Sequence, residues 1–175
     1  MLISADATLA HARPLVYAAY RDDLLELLAY LPNVRGIEVK SRKSEGSRTE
    51  LVNLWRGGGE IPAVARAFVS EAMLSWDDHA TWDESAWTCA WRIETHAFTE
   101  AVECRGLNRF VEVEGGTRIE IRGELSIDAR KIKGVPSMFA GKVASAVESV
   151  LIAKIQPNLV EVSEGLRKHL ARRAG

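Results

Sequence analysis

The chain has little of what would staple, tether or anchor a protein. Its 175 residues include only two cysteines, Cys89 and Cys104. Each sits in a segment of alternating apolar and polar residues, with no His or second Cys at ligand spacing, which argues against zinc and CxxC redox motifs. Both are expected as buried free thiols, because a domain of this length can bury roughly 70% of its unfolded surface without a disulfide. An excess of one charge is also lacking: 23 Lys and Arg against 24 Asp and Glu leave a net charge of -1. The two signs are mixed along most of the chain, so nucleic acid is excluded as an expected partner, and no anionic-membrane footprint dominates.

No run approaches the ~18 apolar residues of a membrane span. The opening Met1-Leu2-Ile3-Ser4-Ala5-Asp6 has no basic n-region or long apolar core of a leader. These absences predict a cytoplasmic protein without stable membrane insertion. No repeat, Ser/Gly linker or low-complexity run divides the sequence, which predicts a single domain over 1–175. The triple glycine Gly57-Gly58-Gly59 is no phosphate loop, since it lacks a following Lys-Ser/Thr; it reads as a flexible gate.

Hydrophobic spacing defines the elements. Ile3, Ala5, Ala7 and Leu9 alternate as an opening strand, and Pro14 suits the first turn of a helix carrying Leu15, Val16, Ala19 and Tyr20. Asp22-Asp23 precedes a second short helix through Leu31, which Pro32-Asn33 stops. Segments 34–43 and 48–56 read as a hairpin, and 61–68 as a short helix or ordered connection. Period-two spacing then predicts strands near 74–83, 86–96, 98–111 and 117–128. In the last of them Ile119, Ile121, Leu125 and Ile127 share a dry face, and Arg118, Glu120, Arg122 and Glu124 a wet one. From Ser137 to about Ala171 the spacing is helical, with Phe139, Val143 and Val147 opening an apolar stripe that Pro157 should kink. A one-faced sheet of six or seven strands must bury its dry side on this helix. The expected fold is therefore α+β, a curved antiparallel sheet wrapped around a long C-terminal helix, with two short helices after the first strand.

This order resembles the START-like (SRPBCC) superfamily, the helix-grip fold of polyketide cyclase-like and lipid-transfer proteins. The resemblance spans nearly the whole chain and is carried by Val16-Tyr17-Ala18-Ala19-Tyr20, by Leu31-Pro32-Asn33-Val34 and by Gly134-Val135-Pro136 before the final helix. It implies a cavity between sheet and helix for lipids, polyketides or aromatic compounds, and in some branches cyclisation or dehydration there. None of these residues is a catalytic signature, so the resemblance transfers no functional residue. The 62–68 insertion and the Trp-rich strands suggest a separate branch.

Tryptophan carries the strongest local signal. Spacing of two places Trp76, Asp78, Ala80 and Trp82 on one face of their strand, and Trp87, Cys89, Trp91 and Ile93 on one face of the next; Trp55 lies in an earlier strand. If those faces point inward, the indoles line the cavity and supply apolar area with N–H handles; otherwise they fill the core. The same alternation would bury Asp78 and raise its pKa, as suits a general acid or base, unless a bulge or strand end leaves it solvated. Asn53, Asn108 and Arg109 are candidate polar anchors, and Tyr17, Tyr20 and Tyr30 offer hydroxyls, although capping or solvent-facing roles compete.

His79 and His96 fall on the wet faces. Asp77, Asp78 and His79 alternate faces and cannot share a metal without a bulge, and the sequence implies no metal and no cofactor. The basic end Arg167-Lys168-His169-Leu170-Ala171-Arg172-Arg173 suits the C-terminal pole of a helix, with contact to an acidic partner or membrane surface as the alternative. Three functional readings follow: a hydrophobic-ligand binder with Tyr20, Asn53, the five Trp, Phe139, Val143 and Val147 around its ligand; a cyclase- or dehydratase-like enzyme using Asp78; or a filled-core interaction domain.

Overall fold

Seven strands form one antiparallel sheet in the order β1-β7-β6-β5-β4-β3-β2. The computed structural model describes residues 1–58, 70–128, 131, 141–142, 145 and 161–173. The strands are β1 (Leu2–Leu9), β2 (Val34–Glu45), β3 (Arg48–Gly57), β4 (Ser75–Asp83), β5 (Thr88–Thr95), β6 (Val102–Val113) and β7 (Gly116–Ile127). Between β1 and β2 come α1 (Arg13–Asp22), the single turn α2 (Leu24–Leu27) and a 3-10 turn at Leu28–Tyr30. Residues 161–173 form the described end of the C-terminal helix, here α3, and 141–142 and 145 are also helical. The α+β fold class read from periodicity is the observed one. The expected helix or connection over 61–68, Pro157 and the stripe residues Phe139, Val143 and Val147 lie outside the described residues.

The strand order explains the helices. β1 and β2 are consecutive in sequence and form opposite edges of the sheet, so α1 and α2 must carry the chain across it. Pro14 lies in the first turn of α1, where its missing N–H costs nothing. Val16, Tyr17 and Ala19 face the sheet and are buried. From the other end of the chain Val162, Leu166 and Leu170 of α3, spaced at four, join the same core as Leu9, Val16, Leu27 and Phe110. The edge strand β2 is irregular at Val34/Gly36 and Val39/Ser41, and its exposed Lys40, Arg42 and Lys43 deter edge-to-edge pairing.

Alternation separates two faces. Outward side chains pair charges across strands, as in Arg122–Asp6, Arg105–Glu124 and Arg56–Glu38; such exposed pairs add little stability but match the register. Two boundaries differ from the periodic reading. β5 begins at Thr88 because Trp87 takes φ 54° in the preceding turn, and β6 begins at Val102 because Phe98 takes φ 59°. Non-glycine residues in that left-handed region end an extended run.

Trp91 needs two glycines. Register aligns Trp91 with Gly106 and Gly106 with Gly123. A Cβ added at Gly123 would meet the Trp91 ring at 2.8 Å, and one at Gly106 would meet it closer still. The indole therefore lies across bare backbone. Gly106→Ala is expected to destabilise the fold by about 1–3 kcal/mol through overpacking and to shift Trp91 emission. Urea unfolding and fluorescence spectra test this, and a change within error in both would show that Trp91 is not seated there.

Candidate functional site

The concave face of the sheet holds a cavity of about 200 Å³, closed by Tyr20 and Leu24 from the first helices and Val162 from α3. Register arranges its floor in cross-strand rows. One row runs Trp55, Trp76, Thr95; the next runs Asn53, Asp78, Ile93, Cys104, Leu125; a third runs Leu51, Ala80, Trp91. All of these side chains line the cavity. Trp55 and Trp76 stack with ring centroids 5.9 Å apart and planes 11° from parallel, giving one end an aromatic wall.

Polar atoms are few and deep. Asn53 and Asn108 are 2% and 4% exposed. Trp91 Nε1 donates to Asn108 Oδ1 at 2.8 Å, which fixes the indole over its glycine bed. Asp78 sits between Asn53 and Ile93, half-buried and lining the cavity. Desolvation raises its pKa from 3.8 to about 6, although the Asn53 amide and the Trp55 indole both favour the charged form. Trp55 Nε1, Trp82 Nε1, Asn53 Oδ1 and Thr95 Oγ1 are buried atoms without a hydrogen bond of good geometry. Burial also raises the pKa of Tyr20, Cys89 and Cys104, and both cysteines are free.

Of the residues singled out from sequence, Tyr20, Asn53, Trp55, Trp76, Asp78, Trp82 and Trp91 meet at this cavity. Trp87 does not. Its positive φ turns the ring toward Tyr17, at 5.3 Å, with the Arg13 guanidinium 4.5 Å above it, so it packs core instead of lining the site. Tyr17 is likewise core, its hydroxyl donating to the Thr88 carbonyl. Arg109 is exposed, one residue out of phase with Asn108, and the Tyr30 hydroxyl accepts from Arg172. Thr95 and the Gly106–Gly123 pair escaped the sequence reading. Glycines interior to two amphipathic strands were the available signal for the pair, while Thr95 had none.

Two polar clusters lie elsewhere. On the outer side Ser75 Oγ is 3.1 Å from His96 Nδ1, and His96 Nε2 is 3.3 Å from Asp77 Oδ2, which also accepts from Lys40. The backbone N–H groups of Gly57, Gly58, Leu74 and His96 nearby already donate to carbonyls, so none of these four is spare for an oxyanion. Where α3 meets α2, His169 Nε2 contacts Asp23 Oδ2 at 2.9 Å and Glu26 Oε2 at 3.3 Å. Arg173 also pairs with Asp23, so the cluster clasps the helix, and a cation there would have to displace that arginine.

No family model matches the chain, and no curated protein matches it in sequence. Solved structures do match. TTHA0849 from Thermus thermophilus superposes with a TM-score of 0.67 at 18% identity, covering 100% of both chains. The Zhui aromatase/cyclase from Streptomyces sp. R1128 gives 0.67 at 14%, covering 100% of this chain and 96% of that one. Norcoclaurine synthase from Thalictrum flavum gives 0.64 at 12%, covering 98% and 87%. The fold is the START-like helix grip. Within a helix grip the space between sheet and C-terminal helix is where this chain keeps its cavity, and identities this low carry the fold alone.

The sign of the Asp78 shift makes a prediction. An acid whose folded pKa is raised stabilises the fold fully below its ordinary pKa of 3.8, and that contribution is lost as pH rises through about 6. Asp78→Asn removes the titration, so its stability relative to the parent is expected to grow by on the order of 3 kcal/mol between about pH 4 and pH 8. Urea midpoints across that range read the difference; a flat difference would mean that Asp78 titrates normally.

Proposed function

We propose that the chain binds a hydrophobic small molecule, a lipid, polyketide or aromatic compound, between its sheet and its C-terminal helix. The observation that carries this reading is the cavity itself. A filled-core interaction domain would close the concave face, whereas here about 200 Å³ stays open behind walls that are mostly apolar with a few buried polar atoms, the make-up of a small-molecule site. Tyr20, Asn53, Trp55, Trp76, Trp82 and Trp91 are the proposed contacts from the described residues. Phe139, Val143 and Val147, whose spacing is helical in the sequence, complete the proposed set. We read the chain as one domain acting in the cytoplasm; none of its described helices is long and apolar enough to cross a membrane.

A second reading has a specific observation behind it. Asp78, with a pKa of about 6 and donors around it, is poised to exchange a proton near neutral pH. In that case the same cavity positions a polyketide-like or aromatic substrate, and Asp78 assists proton transfer while Tyr20 or Asn53 donates to a developing enolate. The aromatase/cyclase among the similar structures is consistent with this chemistry on this fold.

Native mass spectrometry of protein purified without added ligand, followed by solvent extraction, tests the binding reading. A retained lipid or aromatic compound is the expected result. Ala80→Phe, which projects a ring from the cavity floor, is expected to weaken binding of an apolar fluorescent probe by more than about tenfold, since it removes the buried apolar contact. A clean apo mass together with probe binding unaffected by Ala80→Phe would place the ligand outside this cavity or remove it altogether.

A further inference from the structure

Besides the indole N–H groups of Trp55 and Trp82, the unpaired polar atoms of the cavity are two oxygens that flank Asp78. Asn53 is the direct cross-strand partner of Asp78, and Thr95, the partner of Trp76, is its diagonal neighbour on the other side. Asn53 Oδ1 and Thr95 Oγ1 are both buried without a partner among the described residues. Asp78 makes no ion pair among the described residues, and the other titratable groups that face it, Tyr20 from α1, Cys89 from β5 and Cys104 from β6, are kept neutral by burial. One carboxylate without a counter-ion, one amide oxygen and one hydroxyl oxygen therefore line a single corner. The stacked Trp55–Trp76 pair walls that corner.

We propose that the ligand is a hydrophobic primary amine whose ammonium group seats between Asp78, Asn53 and Thr95, beside the Trp55–Trp76 pair. This rests on the reading that the cavity holds a hydrophobic small molecule. An ammonium has three N–H donors and no acceptor, which suits a carboxylate flanked by the unpaired Asn53 Oδ1 and Thr95 Oγ1. Its charge neutralises a carboxylate whose desolvation is offset only in part by the Asn53 and Trp55 side chains. Tryptophan faces attract a desolvated cation, so the aromatic wall adds to the same preference. An anionic ligand would place like charge against Asp78, and a neutral one would leave the carboxylate uncompensated.

Calorimetric titration of 2-(2-naphthyl)ethylamine against 2-(2-naphthyl)ethanol isolates the charge, because the two share one hydrophobic body. At about pH 8 the amine is expected to bind at least tenfold more tightly than the alcohol, as a charge-assisted contact out of water should give. At about pH 5 Asp78 takes up a proton and the preference should collapse. Asp78→Asn is expected to abolish the preference at pH 8. Thr95→Val, a milder change, should weaken the amine alone by roughly threefold to tenfold through one lost hydrogen bond. Equal affinity of amine and alcohol, or a preference that survives Asp78→Asn, would overturn the ammonium site and leave the hydrophobic cavity standing. Failure of both compounds to bind would overturn the two together.

Discussion

Everything at the site depends on the antiparallel register. Pairing of β3, β4 and β5 sends Asn53, Asp78 and Ile93 into one inward row and Trp55, Trp76 and Thr95 into the next. Because side chains alternate with a period of two, a slip of one residue in β4 would replace Trp76, Asp78 and Trp82 by Asp77, His79 and Asp83. The outer face opposes that slip. Asp77 holds Lys40 and His96, and His79 meets Glu94, all of which would lose water if turned inward. The wet face thus fixes the register as firmly as the apolar one, and the cavity inherits its chemistry from both.

Covering the inward rows is the work of three helical pieces with different origins. α1 and α2 cross the sheet because β1 and β2 are its two edges, and α3 returns from the far end of the chain. The His169–Asp23 contact, with Arg173 on the same carboxylate, ties α3 to the α1–α2 junction, while Leu166 and Leu170 supply the buried area. The charged clasp sets where the helix end sits, and the apolar side chains hold it there.

Much of this was legible in advance. The strands were readable from alternation, the two short helices from Pro14 and Pro32, and the α+β class from a single large amphipathic helix facing a one-sided sheet. The face of Asp78 was readable for the same reason. Trp87 was not, because spacing alone assigned it to the face of Trp91, whereas a positive φ fixed by packing on Tyr17 and Arg13 turns it away. Nor was the seat of Trp91, which depends on Gly106 and Gly123 lying in register with it across two further strands. Thr95 acquires its meaning only from standing diagonal to Asp78. Local pattern reports which way a residue faces; which residues meet is set by pairings distant in sequence.

Stability alone would not choose this floor. An aliphatic residue at 78 would remove a desolvated carboxylate, and apolar neighbours at 53 and 95 would remove two unpaired acceptors, each costing on the order of 1–3 kcal/mol when left unmatched. The surrounding rows show that the fold has apolar residues for such places, since Leu51, Ile93, Cys104 and Leu125 occupy the equivalent inward positions. Departures from the most stable choice that cluster in one corner, on one face, beside a stacked tryptophan pair mark a site whose partner is missing among the described residues. Of the three, the carboxylate is the departure that only a positively charged partner neutralises.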